Sequence, residues 1–347
     1  MIRIGITQGD PSGIASELIL KAFEDSRIFE FCIPIVYGSS KVLAYHRKAL
    51  ELPASNLNII SQAENAGTNR LNFINITDEE IVIELGKSTA KGFQISDMAL
   101  SKAAEDLKSG LVDVLLAAPS TIDPFAYIAD KEDTESLKMM ISDSFRIALA
   151  TDNIPISNVA SSLSTELLVR KIQALHAALI RDFMITSPRI AVLSLNPKSG
   201  VNDQPGKEEE EIIIPAIKAV SESAIFCFGP YSADTLFSSC EYLSFDAVLA
   251  MYYDQGMIAF QSIAPERGAF FASGLPRIIT SPYQTVSFDK AGKNISSSDS
   301  FREALYLSID LYRNQQINFE INRNPLKKQY FERGSDNEKL DLTKEED

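Results

Sequence analysis

The sequence predicts an α/β protein built on a largely parallel sheet with flanking helices. Short β-branched runs alternate with longer helical stretches, and apolar side chains recur within those stretches at helical spacing. The length of 347 residues, with 45% hydrophobic content, gives enough chain to bury a large core and favours two lobes over one.

Taken in order, the candidate strands are Arg3 to Thr7, Pro34 to Tyr37, Leu71 to Ile76, Val112 to Ala117, Arg189 to Leu195 and Asp246 to Met251. Behind the first strand, Gln8-Gly-Asp-Pro-Ser-Gly13 leads into the helical run IASELILKAF, a tight turn that frees helix N–H groups for an anion or simply turns the chain. Ile95, Ala99, Ala103 and Leu107 form one buried helix stripe, and Leu168, Ile172, Leu175, Leu179 and Phe183 form another. The acidic run Lys207 to Glu211 before IIIPAIKAV reads as the solvated first turn of a helix, favourable at the positive end of its dipole. From Asn322 onward apolar periodicity stops and charge dominates, so residues 322–347 read as a disordered tail.

The formal net charge of -14 disfavours a nucleic-acid or anionic-membrane surface, because those need clustered Lys and Arg. No leader pattern opens the chain and no apolar run reaches the roughly 18 residues of a membrane span, so the expected location is the cytoplasm. Cys32, Cys227 and Cys240, an odd count at irregular spacing, read as reduced structural thiols. The glycosylation tripeptides at Asn75 and Asn294 carry no meaning without secretion. The only histidines, His46 and His176, lie inside helical stretches, so one chain cannot assemble a three-histidine metal site.

Several segments follow one another in a specific order: GDPSGIASE, AAPSTI, EDTES, ATDNIPI, LNPKSG with GKEEEEIIIPAI downstream, FGPYSADTLF, AMYYDQG and SGLPRIITSPYQTVSFDKAG. In that order they resemble the 4-hydroxythreonine-4-phosphate dehydrogenase family, NAD-dependent enzymes of pyridoxal phosphate biosynthesis, across residues 1–320. The resemblance implies a two-lobed subunit similar to the isocitrate and isopropylmalate dehydrogenases. One lobe would be residues 1–125 plus 277–321, and the other, with the dimer interface, residues 126–276. The active site would lie between the lobes and across a homodimer.

The resemblance also implies a divalent metal, Zn²⁺ or Mg²⁺, held by three histidines, and here those positions are Asn153, Lys198 and Tyr253. The family's substrate positions fall on Asp133, Thr134, Gln261, Phe270 and Ile279, so only the threonine matches; its phosphate-site lysine is Gln261 and its arginine is Ile279. Two further family positions hold Ile122 and Gln284. Frame residues such as Gly9, Pro11, Asn196, Pro197, Gly256 and Pro276 match, and their turn-making chemistry is architectural.

A catalytic metal supplies several kcal/mol at the transition state, and each charge-assisted bond to a phosphate about 1.5–3 kcal/mol, so these replacements remove much of the family chemistry. Two readings of function follow. In the first, the chain is a silent homologue that keeps the fold, binds a small molecule or pairs with itself or an active paralogue, and has lost the metal. In the second, it is an active NAD-dependent dehydrogenase with a rebuilt site: Lys198 or Tyr253 acts as base or acid beside Asp254, and Asp10, Asp246 and Asp254 hold Mg²⁺. The unaltered family reaction through misaligned residues is a third, and the scarcity of histidine argues against it.

Overall fold

The computed structural model describes residues 1–52, 57–77, 79, 81–143, 145–200, 206–265 and 267–323. Its strands are β1 (Ile2–Thr7), β2 (Cys32–Gly38), β3 (Leu57–Ile60), β4 (Leu71–Asn75), β5 (Val114–Ala117), β6 (Leu137–Ser142), β7 (Phe145–Leu149), β8 (Arg189–Leu193), β9 (Phe226–Tyr231), β10 (Ala247–Ala250), β11 (Ala269–Ser273) and β12 (Ile278–Pro282). They join in one sheet in the order β3-β4-β2-β1-β5-β12-β11-β6-β7-β10-β8-β9. Strands β1 to β5 and β12 thus lie on one side, and β6 to β11 on the other.

Pairing is parallel on both flanks and antiparallel only across β12-β11-β6-β7 in the middle. Each of the six predicted strands is present. The predictions missed β3, β6, β7, β9, β11 and β12. Several of the missed strands, such as LKMMIS and AFFAS, lean on Met, Phe and Ala rather than β-branched residues, which weakens the strand signal.

The helices are α1 (Ala15–Ala22), α2 (Ser40–Ala49), α3 (Ala90–Lys108), α4 (Pro124–Glu132), α5 (Ile156–Ser162), α6 (Thr165–Arg181), α7 (Ile214–Ser221), α8 (Ala233–Ser238), α9 (Tyr253–Ile263) and α10 (Asp299–Arg323). The stripe of α3 is buried throughout, as are Leu168, Ile172, Leu175 and Leu179 of α6, while Phe183 lies just past the helix end and is partly buried. Thr89 and Ser164 cap these two helices by accepting N–H bonds from Gly92 and Leu167.

The turn after β1 is tight for a steric reason. Gly9 has φ +69°, and a Cβ there would lie 2.4 Å from the carbonyl oxygen of Pro119. His46 of α2 is buried and donates from Nε2 to the carbonyl of Pro11 at 2.7 Å, which ties α2 to the same turn. His176 is half-buried on α6. Cys32 and Cys227 are buried free thiols whose pKa burial pushes up to about 12, whereas Cys240 is exposed.

One expectation is corrected in part. The acidic run opens the helix and Lys207, Glu210 and Glu211 are exposed, but Glu209–Ile213 forms a π-helical turn ahead of α7 and Glu209 is fully buried. The carboxylate is turned inward because it accepts hydrogen bonds from Asn196, which offset the cost of its burial. α10 ends at Arg323, and the tail from 324 onward, like residues 201–205 of the downstream loop, lies outside the described residues. Among the described residues no helix is long and apolar enough to cross a membrane.

Candidate functional site

The sheet's central strands carry an ion cluster that the sequence reading passed over. Side chains alternate across a strand, and in β6 Leu137, Met139 and Ile141 pack into one core cluster while Met140 packs into the other. Lys138 shares the face of Met140, and its side chain is only 11% exposed. A charge so placed needs partners, and it has two: Nζ donates to Asp123 Oδ2 at 2.7 Å and pairs with Asp152 Oδ2 at 2.8 Å. The rings of Phe125 and Phe270 lie 5.6 and 5.8 Å from the ammonium. Burial works against the charge of Lys138, but the carboxylates of Asp152 and Asp123 outweigh it and hold its pKa above the ordinary value.

Both carboxylates are fixed from elsewhere in the fold. Asp123 is the N-cap of α4, and its Oδ1 accepts from the backbone N–H groups of Phe125 and Ala126. Asp152 follows β7, where the chain is anchored by Thr151, whose N and Oγ1 both donate to the carbonyl of Met251. The second oxygen of Asp152, Oδ1, is buried without a hydrogen-bond partner.

The predicted metal positions meet this cluster unequally. Asn153 directly follows Asp152 and is exposed. Tyr253 opens α9 and is half-buried; burial raises its pKa, the charge of Lys138 opposes that rise, and Asp152, Asp254 and Asp123 add to it. Its phenol is therefore neutral at ordinary pH. Lys198 lies on a 3-10 turn (Pro197–Gly200) with φ +61° and is exposed, so the expectation of a desolvated lysine base there is corrected: water solvates it.

Of the remaining predicted positions only Phe270 meets this cluster, through its ring beside Lys138. Asp133 is the exposed, left-handed residue after α4, and Thr134 is half-buried with a hydroxyl that lacks a partner. Gln261 is exposed on α9. Phe270 of β11 packs between two core clusters, and Ile279 of β12 is 0% exposed in an apolar cluster with Ile35 and Leu115. Reading Ile279 as a ligand contact is thus corrected, because its side chain meets only core. Ile122 is also packed apolar, and Gln284 donates to the carbonyl of Ser297.

Asp254 lines a cavity of about 730 Å³ together with Asn196, Pro197, Phe237, Tyr252 and Ile258. Two buried interactions shape that cavity. Glu209 accepts from Asn196 N at 2.8 Å and from its Nδ2 at 3.0 Å, and Gln255 accepts from Met251 N while donating to the carbonyl of Ser194. Together they fix the end of β8 against the start of α9. Gly256 lets α9 close on β7, since a Cβ there would lie 2.9 Å from Leu149 Cδ2.

Asp10, Asp246 and Asp254 do not converge. Asp10 is buried in the turn after β1, Asp246 accepts from Arg189 N, and Asp254 lines the cavity. Among the described residues no three His, Cys, Asp or Glu side chains are grouped to hold a metal.

The comparisons agree on the family. The model of the pyridoxal phosphate biosynthetic protein PdxA matches residues 30–308. The chain is 44% identical to the 4-hydroxythreonine-4-phosphate dehydrogenase of Bacteroides thetaiotaomicron over 98% of its own length and 97% of that protein. A crystal structure of 4-hydroxythreonine-4-phosphate dehydrogenase from Klebsiella pneumoniae superposes with a TM-score of 0.76 at 25% identity, covering 90% of this chain and 98% of that one. One from Burkholderia phymatum gives 0.70 at 28% identity, with the same coverage of 90% and 98%. The fold is that of an α/β dehydrogenase with a mostly parallel sheet. The chain belongs to the PdxA family of 4-hydroxythreonine-4-phosphate dehydrogenases, oxidoreductases of pyridoxine biosynthesis.

Proposed function

We propose that this chain is a PdxA-family protein that keeps the fold and a ligand cavity but has lost the family's metal-dependent oxidation. One observation carries the reading: the three metal positions hold an exposed amide, an exposed ammonium and a neutral phenol, Asn153, Lys198 and Tyr253. A divalent ion is held best by imidazole or anionic oxygen; none of these three positions offers either, and the charges of Lys198 and the nearby Lys138 repel it. The residues present do not fit the metal.

Recognition of a phosphorylated substrate is weakened in the same way, with Gln261 and the buried Ile279 at the family's phosphate positions. The cavity beside Asp254 has a volume suited to a small ligand, and NAD is the cofactor to test there first. We assign the two lobes to residues 1–125 with 277–321 and to 126–276, a division supported by the placement of β1 to β5 and β12 opposite β6 to β11. Pairing as a homodimer, or with an active paralogue, is supported by the exposed apolar side chains Ile154, Ile156 and Ile258.

The second reading, an active dehydrogenase, is favoured by the half-buried Tyr253 within electrostatic reach of Lys138, a phenol able to give up a proton to a developing alkoxide. NADH formation from NAD and 4-hydroxythreonine-4-phosphate, by tag-free protein with Zn²⁺, Mg²⁺ or Mn²⁺ added, separates the two. The proposal expects none; turnover abolished by Tyr253→Phe or Lys198→Ala would establish the rebuilt site instead.

A further inference from the structure

The Lys138 cluster has the layout of a small cation site with the cation supplied by the protein. Two carboxylates from different elements, the cap of α4 and the loop after β7, converge on one point, and the Lys138 ammonium fills it at 2.7 and 2.8 Å. Asp152 keeps a second, buried oxygen without a partner, a surplus acceptor that a two-point ion pair does not require. Asn153 is the next residue in the chain, and the phenol of Tyr253 is influenced by Lys138, Asp152 and Asp123 together. Of the three predicted metal positions, Asn153 therefore adjoins the cluster in the chain and Tyr253 lies within its electrostatic reach.

Without the ammonium, two carboxylates would face each other in a partly buried space between Phe125 and Phe270, an arrangement that repels itself unless a cation enters. Aspartate oxygens suit Mg²⁺ and Mn²⁺.

We infer that Lys138 is a built-in cation that takes the place of a divalent ion at this end of the site, and that removing its charge turns Asp123 and Asp152 into a divalent-cation site. The inference rests on the proposed reading of the metal positions and deepens it: beside them the chain carries two carboxylates whose charge is met by a covalently tethered ammonium.

The test is Mn²⁺ binding, followed by the electron paramagnetic resonance of free Mn²⁺, together with thermal unfolding in Mn²⁺ and in EDTA. Wild type is expected to bind no Mn²⁺ that depends on Asp152, and its Tm is expected to be the same in both media. Lys138→Met is expected to bind one Mn²⁺ per chain, at least about tenfold more tightly than wild type, and to gain Tm in Mn²⁺. Adding Asp123→Asn and Asp152→Asn should abolish both effects. Lys138→Gln, which keeps the volume and a hydrogen bond, undergoes the same titration in case the methionine variant does not fold.

Mn²⁺ uptake by wild type that is lost in Asp152→Asn would overturn the inference, as would a folded Lys138→Gln or Lys138→Met that binds none. NADH formation by metal-free wild type would overturn the proposed loss of oxidation instead, and would leave the titration result standing.

Discussion

The ammonium of Lys138 lies 2.8 Å from the carboxylate of Asp152, the residue directly before Asn153. A mostly buried cation beside Met140 thus pins the loop that carries Asn153, one of the predicted metal positions. Because Lys138 is mostly buried while Asp123 and Asp152 are 38% and 42% exposed, the cluster is worth less than a fully buried pair. Breaking it should cost about 1–3 kcal/mol rather than the 3–5 of full burial.

The pH dependence of that contribution follows from its sign. The pKa of Lys138 is raised in the folded protein, so its stabilisation is fully present below the unfolded value near about 10.4 and is lost as pH rises through the folded one. Urea unfolding of wild type and Lys138→Met should show a constant difference at neutral and mildly alkaline pH. Above about pH 10.4 the difference should shrink. A difference that already vanishes at neutral pH would show that the ammonium stabilises nothing.

Glu209 and Asn196 should behave as a coupled pair. Glu209→Ala leaves the backbone N–H of Asn196 without its acceptor, while Nδ2 keeps Glu208 Oε2 at 2.8 Å, and should cost about 1–3 kcal/mol in urea unfolding. Asn196→Ala keeps the backbone N–H bond to Glu209 and removes only the Nδ2 bond, so it should cost less, about 1 kcal/mol, and the double variant should cost clearly less than the two losses added. Additive losses would mean that the two side chains act independently.

His46 sets an acid limit. Burial lowers its pKa, while its bond to Pro11 opposes the shift. The group therefore stabilises the fold fully above its unfolded value near about 6.5, and stability falls as pH drops below that value toward the folded pKa. Comparing wild type with His46→Gln by urea unfolding isolates this part from the carboxylates. The gap between them should narrow on acidification, and a gap that widens would contradict a histidine buried neutral.

Much of the scaffold was legible in the sequence because repetition signals it. The α3 and α6 stripes and the β-branched strands on the parallel flanks follow spacing rules that act within one segment. The antiparallel middle was not, since β6, β7 and β11 are poor in β-branched residues and β12 follows a Gly-Leu-Pro turn that masks its Ile-Ile-Thr run. The reading of Asn153, Lys198 and Tyr253 as metal positions rests on motif order, and the surroundings of these residues were not legible in the sequence. Lys138 left one usable signal, a lone charge inside LKMMI, where alternation puts it on the face of Met140. Glu209 left none: its partner lies thirteen residues earlier, and only tertiary packing turns an acidic helix start inward.

The most direct measurement is a crystal structure of the wild-type protein grown in Mn²⁺ and recorded at the manganese absorption edge. The account expects the Lys138 ammonium between Asp123 and Asp152 and no anomalous density beside Asn153 or Tyr253. A manganese peak bounded by Asp123, Asp152 and Tyr253, with Lys138 displaced, would contradict it.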